Sequence, residues 1–158
     1  MAYTSKKFAP GAPNTKVARF TVGKSRPDYD YLVQLVSEGR VQIRHNALEA
    51  ARVACNKKLV LLGEDNYFLK VVVYPHVILR ENKMIATAGA DRLQEGMRKA
   101  FGKPIGLAAR VEIGSVILEL GVKAENLEKA KEAMHAASAK LPVRTKVQVV
   151  PLQKPVAQ

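Results

Sequence analysis

The chain has 158 residues and 17.3 kDa, with 26 Lys and Arg against 14 Asp and Glu, which gives a formal charge of +12 and a pI near 10.0. Its 47% hydrophobic content supports a core and excludes a compositionally disordered chain, and at this length one domain with a tail or a long loop is expected. No apolar run approaches the ~20 residues that cross a bilayer, no signal-like stretch opens the chain, and the lone Cys55 excludes a disulfide framework or a Cys-rich metal site.

What these features leave is a soluble, intracellular domain in a reducing compartment, with a polyanion as its expected partner. The charge is unevenly placed. Residues 1–27 hold six cations, Lys6, Lys7, Lys16, Arg19, Lys24 and Arg26, and no acid. Pro10, Gly11, Pro13, Gly23 and Pro27 leave no room for a long helix or a central strand, so this part reads as a basic N-terminal extension. It is either a disordered tail or an arm that orders against phosphates. Tyr3, Phe8 and Phe20 favour the arm, because they add stacking or anchoring surfaces.

Residues 28–150 read as a single domain. Tyr29 to Val36 is expected as a strand, with Glu38-Gly39 as its turn. Asn46, with Glu49 three residues on, is expected to cap a helix that runs to about Leu62 and stops at Gly63. Leu48, Ala51, Cys55, Leu59 and Leu62 form its apolar stripe, which makes Cys55 a small core residue rather than a nucleophile. Tyr67 to Tyr74 is a β-branched and aromatic strand, expected to be buried on much of both faces, and the chain stays extended beyond Pro75 through His76 to Leu79.

Gly89 to Arg110 is the second cation-rich segment. Leu93, Met97 and Ala100 could share a helical face, and Gly102, Pro104 and Gly106 would then break it. From Arg92 onward it carries Arg92, Arg98, Lys99, Lys103 and Arg110 against Glu95 alone, so residues 92–110 are expected to form a long basic loop. Val111 to Val122 reads as a strand region bent at Gly114. Asn126 to Leu141 is a helix with the stripe Leu127, Ala130, Met134, Ala137 and Leu141, and Pro142 ends it. In the last strand, Val143 to Val150, positions 143, 145, 147 and 149 are expected to face inward and 144, 146 and 148 outward; residues 151–158 are a tail. The whole pattern is a two-layer α+β domain.

No catalytic constellation accompanies it. His45, His76 and His135 have neither metal-ligand spacing nor an arranged carboxylate, and Gly96 to Gly102-Lys103 fails as a phosphate loop because Pro104 stands where a Ser or Thr is needed. The reading is therefore not an enzyme, with no metal, no cofactor and no membrane.

Four stretches, IRHNALEAARVA (Ile43 to Ala54), VYPHVILRENKM (Val73 to Met84), AGADRLQEGMRKAFGKPIGLAARV (Ala88 to Val111) and ENLEKAKEAMHAASAKLP (Glu125 to Pro142), closely resemble the large-subunit ribosomal protein that bacteria call L-sixteen and archaea and eukaryotes call L-ten-e. The resemblance covers nearly the whole chain in one register and is archaeal in style. It implies an α/β-hammerhead fold and a cytoplasmic place in the large ribosomal subunit. It also implies contacts with large-subunit rRNA near the A-tRNA site and with neighbouring ribosomal proteins, and no homo-oligomer. By the same resemblance the basic loop points toward the peptidyl-transferase region and tRNA near the A and P sites, and supports late subunit assembly. The family usually opens with a short Arg/Pro/aromatic leader before a segment like AYTSKKF; this chain begins at that segment, so leader contacts are expected to be missing or replaced.

The RNA-binding set expected on these grounds starts with Lys16 and Arg19. Arg44, His45 and Asn46 would sit where a strand enters the first helix, whose free N–H groups can receive a phosphate, and Arg52 either extends that contact or is merely solvated. Tyr74 and His76 can stack on bases while Arg80, Asn82 and Lys83 take phosphate or sugar. In the loop, Arg92, Arg98, Lys99, Lys103 and Arg110 supply charge, and Gly96, Gly102 and Gly106 permit close backbone approach beside Met97 and Pro104. Phe101 is either a plug into the domain or a stacking group. Residues 92–109 are expected to be mobile in the free protein. The competing reading is a free-standing RNA-binding or RNA-modifying factor.

Overall fold

In the computed structural model, which describes residues 3–26, 28–84, 97–98 and 100–152, the apolar alternation resolves into two antiparallel sheets and two helices. The strands are β1 (Tyr3–Ser5), β2 (Thr21–Gly23), β3 (Tyr31–Ser37), β4 (Val41–Arg44), β5 (Tyr67–Val71), β6 (Val77–Glu81), β7 (Lys103–Val111), β8 (Val116–Val122) and β9 (Thr145–Pro151); the helices are α1 (His45–Leu59) and α2 (Leu127–Ser138). One sheet has the order β1-β6-β7-β4 and the other β2-β5-β8-β3-β9. This is the mixed α+β class expected for a hammerhead.

The core is the contact between the helices and the larger sheet. Leu48, Ala51, Cys55 and Leu59 of α1 meet Ala130, Ala133, Met134 and Ala137 of α2, and both stripes lie on Val33, Leu35, Leu69, Leu118 and Leu120. The 3.6-residue period of the helices and the two-residue period of β3 and β5 supply one apolar face each. β8 lies mid-sheet, and Ile117, Leu118, Leu120 and Val122 are all fully buried there. A Lys58–Glu132 ion pair at 2.7 Å ties the helices together at the surface.

Several expectations change. The capping box at Asn46 and Glu49 does not form. The helix begins two residues earlier, with extended Arg44 rather than Asn46 in the N-cap position and no side-chain cap, and the Glu49 carboxylate is taken by the Ala18 N–H and by Arg52. α1 ends at Leu59, and one 3-10 turn, Val60–Leu62, carries the chain to Gly63 at φ +86°. β5 is buried on one face only: Tyr67, Leu69 and Val71 point inward while Lys70 is exposed. The other face stays open because the helices cover just one side of the larger sheet.

The expected long loop also divides. Lys103–Val111 is a nine-residue strand, so Lys103, Pro104, Gly106 and Arg110 belong to a sheet rather than to an irregular loop. Pro104 is tolerated because the β6–β7 register shifts between Leu79 and Arg80, where Leu79 faces Gly106 and Arg80 faces Pro104. Val111 to Val122 is accordingly two strands joined by a tight turn with Gly114 at φ +83°. At the other end of the chain, the N-terminal segment is knitted into the domain. β1 adds an edge to the smaller sheet, β2 adds one to the larger, and Ala9 and Val17 are buried. Six cations and five Gly or Pro hide this role, because short edge strands need only backbone pairing.

Candidate nucleic-acid interface

The smaller sheet places the cations. Its ladder rows set Arg44 beside Ala108, Ala108 beside Val77 and Val77 beside Ser5, which brings β4, β7, β6 and β1 to one end. Lys6 follows β1 and His76 precedes β6, so both stand at that end with Arg44 and Asn46, all exposed. Lys16 joins them, because its backbone N–H donates to Nδ1 of His45 at 3.3 Å.

His45 itself faces inward. It is 3% exposed, and accepting at Nδ1 requires the neutral imidazole with its proton on Nε2. Burial lowers its proton affinity, and the neighbouring charges of Lys16 and Arg44 lower it further. The expectation that His45 reaches RNA is thus corrected: it is an internal staple holding the N-terminal segment to the start of α1. Arg52 is corrected as well. Its Nε and Nη2 donate to the two Glu49 carboxylate oxygens at 3.0 and 2.6 Å, with the guanidinium largely covered. The Arg52 hydrogen bond also holds the Glu49 carboxyl below its ordinary range. A bidentate pair of this kind is structural before it is available to phosphate.

A ring ladder stands beside this cluster. Phe20 stacks on Tyr74 with centroids 5.1 Å apart and planes 19° apart, and Tyr74 meets His76 at 4.6 Å and 42°. Tyr74 and His76, both expected to stack on bases, touch each other here; Phe20, some fifty residues away in sequence, gave no signal that it backs them.

The opposite end of β6 and β7 carries a second cluster, in which Arg80, Asn82, Lys83 and Lys103 gather with Phe101. The Arg80 guanidinium lies 5.1 Å from the Phe101 ring centroid, its Nε is buried without a hydrogen-bond partner, and Phe101 remains 71% exposed. Phe101 therefore is not a plug. Gly102 makes this packing possible: at φ +78°, a Cβ there would lie 2.1 Å from the Glu81 carbonyl carbon. Met97 and Arg98 are exposed close by in sequence. Arg92, Gly96 and Lys99 lie outside the described residues, as do residues 93–95 of the segment expected to be mobile, while its residues 103–109 belong to β7.

Arg19 and Arg110 are exposed but belong to neither end cluster, since Arg110 pairs with Gln42 along β4. Cys55 is fully buried and burial pushes its thiol up to about 12, as its place on the apolar stripe implied. Sequence reasoning named Lys6 as a cation of the N-terminal extension but missed the cleft it lines with Asn14, Thr15, Tyr74 and His76, because no periodicity joins residues 6–15 to residues 74–78.

The model of the family described as ribosomal protein L16p/L10e matches residues 1–148. Curated relatives carry the name large ribosomal subunit protein uL16. That of Hyperthermus butylicus is 54% identical over 153 residues, covering 96% of this chain and 85% of the relative. That of Staphylothermus marinus is 54% identical over 152 residues, covering 96% and 87%. The Sulfolobus acidocaldarius protein is 52% identical over 159 residues, covering 99% and 90%.

Proposed function

Because the chain belongs to the ribosomal protein L16p/L10e family, we propose that it binds large-subunit rRNA through the two end clusters of its smaller sheet. It is a structural constituent of the large ribosomal subunit, of archaeal type, and not an enzyme. The observation that carries the rRNA reading is the gathering of exposed Lys6, Lys16 and Arg44 at one end of this sheet and of Lys83 and Lys103 at the other, each beside exposed rings. Cations alone neutralise phosphates without regard to sequence, whereas rings beside them take unpaired bases.

On the same reading the β6–β7 end faces the A-tRNA site, the segment between these strands reaches toward the peptidyl-transferase region, and the contact supports tRNA placement and late subunit assembly. Neighbouring ribosomal proteins cover other surfaces. The test is cosedimentation of the chain with large subunits through a high-salt wash. A subunit protein held by many simultaneous contacts stays bound. A free-standing factor with ~6 phosphate contacts loses roughly a thousandfold in affinity between about 50 and 200 mM salt, and complete release there would overturn the proposal.

A further inference from the structure

We propose that the cleft between residues 12–15 and the Tyr74–Ile78 segment receives one extruded rRNA nucleotide, its base against Tyr74 and His76 and its phosphate at Lys6. The proposal rests on the chain's being an rRNA binder and names the element of RNA taken at this end of the sheet.

The cleft has a volume of about 320 Å³ and an apolar floor made by Pro75, Ile78 and Leu107. Its aromatic wall is fixed in place, because Tyr74 is stacked on Phe20 behind and touches His76 in front. The facing wall is fixed too. Residues 12–15 are tethered on one side by β1 pairing with β6 and on the other by the Lys16 N–H on His45 and by buried Val17. The cleft is therefore formed before any ligand arrives, which spares the ligand the cost of ordering it.

Its chemistry selects a flat group with polar edges and an anionic tail. The apolar floor and ring wall favour a planar π-system. Asn14 offers an amide with both donors and an acceptor; the Thr15 hydroxyl accepts from the Val17 N–H at 3.2 Å and retains its own proton to donate. Lys6, exposed at the mouth, supplies a charge that a buried apolar side chain would not need. A base that enters must leave its helix, and RNA is recognised most readily at such unstacked positions.

The experiment titrates the full chain with adenosine, guanosine, cytidine and uridine 5′-monophosphates and follows the His76 ring and Ile78 methyl resonances by NMR. Saturable shifts with at least one nucleotide are expected, about tenfold weaker in His76→Ala and abolished by Ala12→Phe, which fills the cleft. Shifts that do not saturate, that persist unchanged in both variants, or that inorganic phosphate reproduces with equal affinity would overturn the proposal. If circular dichroism shows Ala12→Phe unfolded, Asn14→Ala takes its place, with several-fold weakening expected and unchanged binding counting against the cleft. Binding of deproteinised large-subunit rRNA is measured in parallel. If the unaltered chain binds this rRNA but no mononucleotide enters the cleft, the cleft alone is refuted; if it does not bind rRNA, the underlying reading fails as well.

Discussion

The backbone N–H of Lys16 donates to Nδ1 of buried His45 at 3.3 Å, joining the N-terminal segment to the first residue of α1 across 29 positions of sequence. Only the neutral imidazole can accept this bond. The groups facing it, Lys16 and Arg44, are both cationic, so they and burial together disfavour the protonated form.

The first prediction follows from that pair. The folded His45 titrates below its ordinary value of 6.5, so the unfolded chain binds more protons between the two values. Stability from this group is fully present above about pH 7 and is lost as pH falls through 6.5 toward the lower folded value. Urea unfolding between pH 5 and 8 checks it. His45→Asn should be less stable at neutral pH and should show a flatter profile across this window.

Two glycines with nearly the same backbone angle should respond differently to alanine. Gly102 sits at φ +78° with the Glu81 carbonyl where a Cβ would go, while Gly114, at φ +83°, has nothing within 4 Å. Gly114→Ala should cost about 1 kcal/mol from backbone strain alone. Gly102→Ala should cost more, ~3 kcal/mol, because the β6–β7 register must also shift. Chemical denaturation of both variants measures the difference.

Arginine substitutions should separate support from binding. Arg52→Ala should lower stability by ~1 kcal/mol through loss of its Glu49 pair and leave the salt dependence of rRNA binding unchanged. Arg44→Ala, at an exposed position, should leave stability within ~0.5 kcal/mol and reduce the slope of log affinity against log salt by about 1. Filter binding across a salt series reads both.

At the β6–β7 end, Phe101→Ala should weaken rRNA binding by ~1–3 kcal/mol while the melting temperature stays nearly constant, since the ring is mostly exposed. Phe101→Tyr should retain affinity. Loss of thermal stability comparable to a core truncation would show that the ring supports the fold instead.

Arg98→Ala combined with Lys103→Ala should likewise leave folding almost unchanged and impair translation or late subunit assembly, because both side chains are exposed. The readout is the polysome profile of cells carrying the double variant, set beside thermal unfolding of the isolated protein.

Much of this was legible in the chain itself. The stripes Leu48-Ala51-Cys55-Leu59 and Ala130-Met134-Ala137, and the inward alternation of Thr145, Val147 and Val149, are periodic patterns that each element carries alone, and all pack where their period directs. Tyr74 and His76 were readable as a pair because they lie two residues apart. The strand from Lys103 was not, since Gly and Pro spacing suggests a break, and only the partner strand β6, with its register shift, makes Pro104 acceptable there.

The sequence by itself determined the class: a basic α+β domain with a polyanionic partner and no catalytic constellation, and motifs long enough to point to a ribosomal family. Tertiary structure alone decided which charged and aromatic groups face outward. Nothing local distinguishes Arg44 from Arg52 or His76 from His45, because exposure is fixed by what packs from elsewhere in the chain. Glu49 claims Arg52, the Lys16 backbone claims His45, and Arg80 takes a place beside Phe101 that leaves the ring at the surface. Burial and partnering are long-range properties, and a short sequence window carries none of the residues that set them.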